Sequence, residues 1–415
     1  MRDVELYRQL LGLEAPWAVD HVEMSVKDQR VDVYAWHSEA LLWPCPECES
    51  KLPVFDHAEE RGWRHLDSCG FATYLHARIP RVRCATHGVR QVRLPWAEPH
   101  SRFTTYFERL AIDVLKETDV TGTCRILHIS WDEAWAMLER SVARGQARKE
   151  RRVPELVGVD EKAAQKGHRY LTIVSDLGRG TVEYVADERK QASLDGYFEA
   201  FSKEELAGIR AVAMDMWEPY ANSVRAHLPD PEEKIVFDRY HVMTHMGGAV
   251  DTVRKSEHRA LQASGSSLLT GSKYLWLYSF ENLPKKHKEH FAELRAENLR
   301  TARAWAIKES LRVLWRYVRR GWALRFWKSW YFWATHSKLK PVIEVARMIK
   351  RHLDGVLNYF SAARITNAVA EGLNSKIQTI KKMAYGFRNS EHFKTAIYFH
   401  CGGLQLYPAT HGIPG

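Results

Sequence analysis

Two short apolar runs each end on an aspartate: VGVDEKA at 157–163, which places Asp160, and AVAMDMWEPY at 211–220, which places Asp215. Each reads as a β-strand with a carboxylate at its tip. If the two strands are neighbours in one sheet, both acids sit at one edge of it. Two ionised carboxylates there repel each other, and a divalent cation removes the repulsion. Hard oxygen donors select Mg2+ or Mn2+. A third acid is then expected. Glu371, in NAVAEGLNSKIQTIKK, is the best placed: it is the single acid on an amphipathic helix that also carries Lys376, Lys381 and Lys382. Asp238 in VFDRYHV, at another strand end, is a supporting candidate. Each acid alone has a plainer reading, as a helix cap or an ion-pair partner. The set, in this order, points to a divalent-metal site.

A second constellation is softer. CPEC at 45–48 and CATH at 84–87 offer Cys45, Cys48, Cys84 and His87 as two pairs of equal spacing. Two such knuckles suit one four-coordinate Zn2+, with strands filling the interval between them. The plainer reading is two unrelated buried cysteines. Cys69, Cys124 and Cys401 have no paired neighbour and read as small apolar residues. Six cysteines in 415 residues do not make a disulfide framework.

The elements that must position these groups can be read in order. The chain is 45% apolar, carries a formal charge of +10 and has a pI near 9.2, which favours an anionic partner, nucleic acid first. No apolar run of about 18 residues is present, so no membrane span is expected, and the N-terminus lacks a signal-peptide core. No GxxxxGK[ST] loop appears, so no nucleotide cofactor is implied. A short helix at 4–13 precedes a half-buried hairpin, VDHVEMSVKD and RVDVYAWHS, and a further strand-like stretch runs to about residue 94. PWAEP at 95–99 is a linker. Three helical pieces follow from Thr104, the last capped by Ser130 with Glu133 at the capping-box spacing. A short turn before the last helix fits a helix-turn-helix, with Arg140, Arg144 and Arg148 counted as DNA contacts and Trp131 and Trp135 as core.

From Pro154 the period changes to strands, PELVGVDE, RYLTIVSD and TVEYVADE, with Gly167, Gly178 and Gly180 in the turns. Strand and helix then alternate to a long helix from Tyr240, which predicts a mixed sheet with helices on its faces. Residues 245–365 read as helical. Within them, 301–352 holds 13 Lys or Arg against 2 Asp or Glu, and also Trp305, Trp315, Trp322, Trp327, Trp330 and Trp333. Most of these tryptophans are expected in the helical core, with the basic face toward DNA. Lys376, Lys381, Lys382 and Arg388 are counted as DNA-binding too.

The wording and order of VGVDEKA, AVAMDMWEPY, FDRYHV and AEGLNSKIQTIKKMAYGFRN resemble the landmarks of DDE transposases of the bacterial ISL-three insertion-sequence family. CPEC with CATH resembles that family's zinc-binding segment, although His87 stands where a last cysteine is usual. The resemblance implies an α+β multidomain protein: a zinc-binding N-terminal domain at 1–98, a helix-turn-helix domain at 99–150, an RNase H-like catalytic domain at 151–244 and 366–415, and an all-helical insertion at 245–365. It implies a catalytic triad of Asp160, Asp215 and Glu371 holding two Mg2+ (or Mn2+) ions. It also implies action on double-stranded DNA, both transposon ends and target, as a homodimer in the bacterial cytoplasm at the nucleoid. Two other readings compete: a catalytically inactive DNA-binding regulator, and an RNase H-like nuclease without strand transfer.

Overall fold

The computed structural model describes residues 3–38, 40–165, 169–360 and 368–409. The turn expected at Gly167 and the end of the helical stretch expected to reach residue 365 lie outside the described residues. The chain divides into two compact units, Met1–Lys149 with Tyr398–Gly415, and Glu150–Ile397. No helix among the described residues is long and apolar enough to cross a membrane.

In the first unit, helix α1 (Asp3–Leu10) leads into β1 (Trp17–Ser25) and β2 (Arg30–His37), the expected antiparallel hairpin. Four further strands follow: β3 (Leu42–Pro44), β4 (Lys51–Ser68), β5 (Phe71–Cys84) and β6 (Gly88–Gln91). The sheet order is β1-β2-β5-β4-β3, with β6 on β5 and only β2–β5 parallel. β4 is rich in charge, and three register shifts against β5 break its alternation, which hides it from a period-two reading. Trp17, Trp43, Trp63 and Trp96 pack edge-to-face or tilted, centroids 4.7–5.7 Å apart, and form much of this core.

Three helices complete the unit: α2 (Thr105–Glu117), α3 (Val120–Leu127) and α4 (Trp131–Arg148). Thr104 and Asp119 cap the first two, and His128 ends α3 in the left-handed conformation at φ 54°. The capping box is present: Ser130 accepts from the Glu133 amide at 3.3 Å and Glu133 accepts from the Ser130 amide at 2.9 Å. Trp135 is buried as expected, but Trp131 stacks on it from outside and stays 44% exposed. Phe399 and Leu406 pack with Ile112, Leu115, Leu138 and Val142. The segment from Tyr398 therefore belongs with these helices, where the sequence had placed all of 366–415 with the catalytic sheet.

The second unit is built on the sheet β11-β10-β7-β8-β9: β7 (Leu156–Gln165), β8 (Arg169–Asp176), β9 (Thr181–Asp187), β10 (Ala211–Met214) and β11 (Ile235–Phe237). The first three form an antiparallel meander, and β10 and β11 add in parallel on the β7 side. This is the mixed sheet expected of an RNase H-like domain. Helices α5 (Gln191–Phe198), α6 (Lys203–Ala207), α7 (Glu218–His227) and α8 (Pro231–Lys234) connect the strands, and α9 (Arg239–Ala263) leaves the sheet after β11. Val157, Val159, Val212, Met214, Ile235 and Phe237 share one core with α5, α7 and α9. Ala211, Ala213 and Val236, on the opposite face, pack against Val369 and Ala370.

The insertion comprises α10 (Lys273–Leu277), α11 (Lys288–Ala296), α12 (Arg300–Arg312), α13 (Arg320–Thr335), α14 (Lys340–Arg351) and α15 (Leu353–Asn358). α12 and α14 pack on α9, and α15 returns to β11. There the Asn358 amide donates to the carbonyls of Glu232 at 2.6 Å and Ile235 at 2.9 Å. Trp305, Trp315, Trp327 and Trp330 are buried as expected, while Trp322 and Trp333 are 52% and 40% exposed. Helices α16 (Ala368–Met383) and α17 (Ser390–Cys401) close the chain.

Candidate active site and metal centre

Register explains how three aspartates meet. Ala213 of β10 pairs with Gly158 of β7, and Met214 pairs with Phe237 of β11. Two residues past that first pair, Asp215 is level with Asp160; one residue past the second, it is level with Asp238. Side chains two apart on a strand share a face, so these acids project on the side of Gly158, Ala213 and Val236. Asp160 is not at a strand tip, because β7 runs on to Gln165 against β8. It lies just past the stretch that β10 covers, and toward that neighbour it is an end.

Helix α16 covers this face. Leu373, Ile377 and Ile380 are its buried stripe, and Glu371 and Asn374, three apart, turn together toward the aspartates. Asp160, Glu161, Asp215, Asp238, His241, Glu371 and Asn374 line one cleft of about 530 Å³. Asn374 donates its amide to Asp160, and Lys162 stands 3.8 Å from the same carboxylate. His241 lies between Asp215 and Asp238, at 3.6 and 3.8 Å. Asp160 and Asp215 each accept the next residue's amide, at 2.7 and 2.6 Å, and Asp238 accepts that of Tyr240 at 2.7 Å. Burial pushes the Asp238 carboxyl above the usual range; the Tyr240 amide and His241 oppose this, and the charges of Asp160 and Glu371 add to it. Burial likewise raises Glu161, held at 2.5 Å by Arg189, whose guanidinium lies 4.0 Å over the Trp217 ring. Five acids thus share the cleft, and neighbouring carboxylates add to the upward shifts of Asp238 and Glu161.

His241, Asn374 and the Glu161–Arg189 pair escaped the sequence reading. The signal for the first two was position: His241 is three residues after Asp238 at the start of α9, and Asn374 three after Glu371.

The Cys45, Cys48, Cys84 and His87 donor atoms lie within 4.8 Å of one another, and they are the one group of three or more such donors found this close among the described residues. The β4–β5 hairpin fills the interval and brings its two ends together. Cys48 and Cys84 sulfurs are 3.7 Å apart, and His87 Nδ1 is 3.5 Å from Cys84 and 3.8 Å from Cys45. A tetrahedron with about 2.3 Å metal–sulfur and 2.0–2.1 Å metal–nitrogen legs has edges of about 3.5–3.8 Å, so the donor set fits zinc. Hydrogen bonds from Ser50 bring the Cys48 thiol down to about 6, which favours the thiolate a metal needs.

Each α4 arginine assigned to DNA has a partner within the protein, although Arg148 is exposed and Arg140 half-buried. Arg144, with 8% of its side chain exposed, bridges Glu98 at 2.6 Å and Glu108 at 2.5 Å and donates to the Leu406 carbonyl. Arg140 pairs with Glu108 at 3.1 Å, and Arg148 donates to the Tyr407 carbonyl at 2.7 Å. Arg144 is thus engaged by two carboxylates and a carbonyl within its own unit. Lys381 donates to the Ala163 carbonyl at 2.5 Å, whereas Lys376, Lys382 and Arg388 are exposed.

A family model described as a transposase matches residues 157–397. A second, the zinc-finger of transposase IS204/IS1001/IS1096/IS1165, matches 42–87, and a third, the helix-turn-helix domain of transposase family ISL3, matches 92–142. The chain is 28% identical over 451 residues to the transposase for insertion sequence element IS1557 of Mycobacterium tuberculosis, covering 100% of this chain and 99% of that protein. It is 27% identical over 403 residues to the transposase for insertion sequence element IS1001 of Bordetella parapertussis, covering 95% and 97%.

Proposed function

From the premise that this chain belongs to transposase family ISL3, we propose that it binds the terminal repeats of an insertion sequence, cuts the DNA there and joins the freed 3′ hydroxyl to target DNA. The observation that carries the reading is the level row of Asp160, Asp215 and Asp238 with Glu371 facing the same cleft. Asp160, Asp215 and Glu371 are the residues that would hold two Mg2+ or Mn2+ ions, and their hard anionic oxygens suit that donor role. When bound, the ions supply a water acidic enough to attack and neutralise charge on the leaving 3′ oxygen. The chain's own groups do the rest. Asn374 donates to the Asp160 carboxylate, and His241 lies within reach of both Asp215 and Asp238. Strand transfer exchanges one phosphodiester for another, so no nucleotide cofactor enters the scheme. Cys45, Cys48, Cys84 and His87 would hold one Zn2+ and fix the N-terminal sheet beside the helix-turn-helix. Joining needs two ends held at once, so the working form is a homodimer on DNA, at the nucleoid.

The test is Glu371→Gln in the full chain, assayed for end binding, cleavage and strand transfer on labelled terminal duplexes with Mg2+. Cleavage and joining are lost while binding holds, because a neutral amide keeps the shape but ligates a hard cation poorly. Asp160→Asn and Asp215→Asn behave alike, and the losses do not add, because all three dismantle one site. Cleavage by Glu371→Gln at near the wild-type rate moves the assignment to Asp238. Cleavage without joining in the wild type selects the nuclease reading.

A further inference from the structure

Arg239 follows Asp238 at the start of α9. Successive helical residues point about 100° apart, and Asp238 lines the catalytic cleft while Arg239 lines a second, smaller cavity of about 120 Å³. Its other walls are Met243 of α9, Arg312 at the end of α12, Trp315 and Arg316 on the turn that follows, and Glu281. Three guanidinium groups thus share this small space with one carboxylate. Glu281 engages Arg316. Arg312 approaches Glu309, outside the cavity, at 3.9 Å. Arg239 makes no ion pair or side-chain hydrogen bond among the described residues, and it is exposed. Trp315 is nine-tenths buried, and its indole N–H finds no acceptor among the described residues. The cavity is rich in donors and poor in acceptors, and arginine cannot relieve such an excess by losing a proton. Its complement is a compact anion with several acceptor oxygens. The volume equals about four waters of liquid, room for a phosphate group but not for a nucleoside with it.

We propose that this cavity is a phosphodiester subsite. It holds a backbone phosphate of the DNA strand that runs out of the catalytic cleft, within about two nucleotides of the scissile bond, since the Cα atoms of Asp238 and Arg239 are about 3.8 Å apart. The proposal rests on the transposase reading of the larger cleft.

The experiment uses the full chain and terminal duplexes in which single phosphates are replaced in turn by uncharged methylphosphonates. Wild-type protein loses roughly tenfold in affinity at one position near the cleavage point, the scale of a lost charge-assisted contact. In Arg239→Gln, and independently in Arg316→Gln, the same replacement costs less than about twofold, and the slope of log affinity against log salt falls by about one. Thermal melts confirm that both variants are folded; Arg239 is exposed and unpaired, so Arg239→Gln retains the wild-type melt. A penalty profile in both variants that superimposes on wild type at every position overturns the subsite. So does loss of self-association in place of a phosphate-dependent penalty, which gives the cavity to a carboxylate of a second copy. Wild-type protein that neither binds nor cuts the duplex overturns the transposase reading itself, and the subsite with it.

Discussion

Arg144→Met asks whether this arginine holds the helix-turn-helix unit together or reads DNA. Its guanidinium bridges Glu98 and Glu108, and the Glu108 side chain is 2% exposed. Removing the cation leaves a buried carboxylate with Arg140 alone, at 3.1 Å. Breaking a buried pair from one side costs roughly 3–5 kcal/mol, and the surviving Arg140 contact places this case near the lower end, about 3 kcal/mol. For a unit of this size, about 2–4 °C of melting temperature accompanies each kcal/mol, so the expected loss is about 6–12 °C. A thermal melt of the full chain followed by near-ultraviolet dichroism reads it, because Trp17, Trp43, Trp63 and Trp96 make a large signal in the same unit. Arg144→Met with Glu108→Met restores most of the loss, since the orphaned charge is gone. Well below its melt, the single variant binds terminal DNA as wild type does. A variant that melts within about 0.5 kcal/mol of wild type yet loses tenfold in DNA affinity would refute this reasoning and return Arg144 to the DNA interface.

Metal analysis of protein purified without chelator should give about one zinc per chain, lost in Cys48→Ser but kept in His87→Cys, because either side chain can complete the tetrahedron; zinc-free wild type refutes the site. Burial, with Arg64 beside it, holds the His65 imidazole down to about 4 against an ordinary 6.5. Between those values the unfolded chain takes up a proton that the folded chain refuses, so stability falls as pH drops from 6.5 to 4, by roughly 3 kcal/mol in all. His65→Gln should flatten that limb of the stability curve, and an unchanged slope would assign it elsewhere. A Cβ on Gly355 would stand 2.5 Å from the Phe237 ring, so Gly355→Ala must displace β11 or α15. It should cost about 1–3 kcal/mol. Cleavage should fall more than end binding, because Asp238 follows Phe237 directly; a wild-type melt would show that the ring moves freely.

What the sequence disclosed follows from what periodicity and spacing encode. The capping box at Ser130 is local, four residues long, and it stands as read. The β1–β2 hairpin and the β7–β9 meander are short apolar runs bounded by turn residues, and they too are present. Equal spacing of CPEC and CATH was enough to pair the knuckles, although β4 between them was not visible. Other features depend on neighbours that spacing cannot name. Arg140, Arg144 and Arg148 recur every four residues and mark one face of α4, but nothing local says whether that face meets DNA or Glu98, Glu108 and Tyr407. Trp131 and Trp135 look alike at i, i+4, yet one is buried and the other exposed. Asp160 was read as a strand tip because the apolar run stops there, while pairing with β8 carries the strand on.

The level row of aspartates has a consequence for how such a chain can vary in length. Three acids from distant parts of the sequence stand abreast only because β7, β10 and β11 hold one parallel register. A single residue added or lost inside β10 would slide Asp215 by about 3.3 Å and turn it to the opposite face of the sheet. The connections between strands have no such constraint, and neither does the stretch between α9 and α15, which starts and ends at the β11 edge. Length changes should therefore collect in the insertion and the interstrand loops, and be nearly absent from the few residues before each aspartate. Among descendants of one ancestor, the alignment gaps would trace the outline of the sheet.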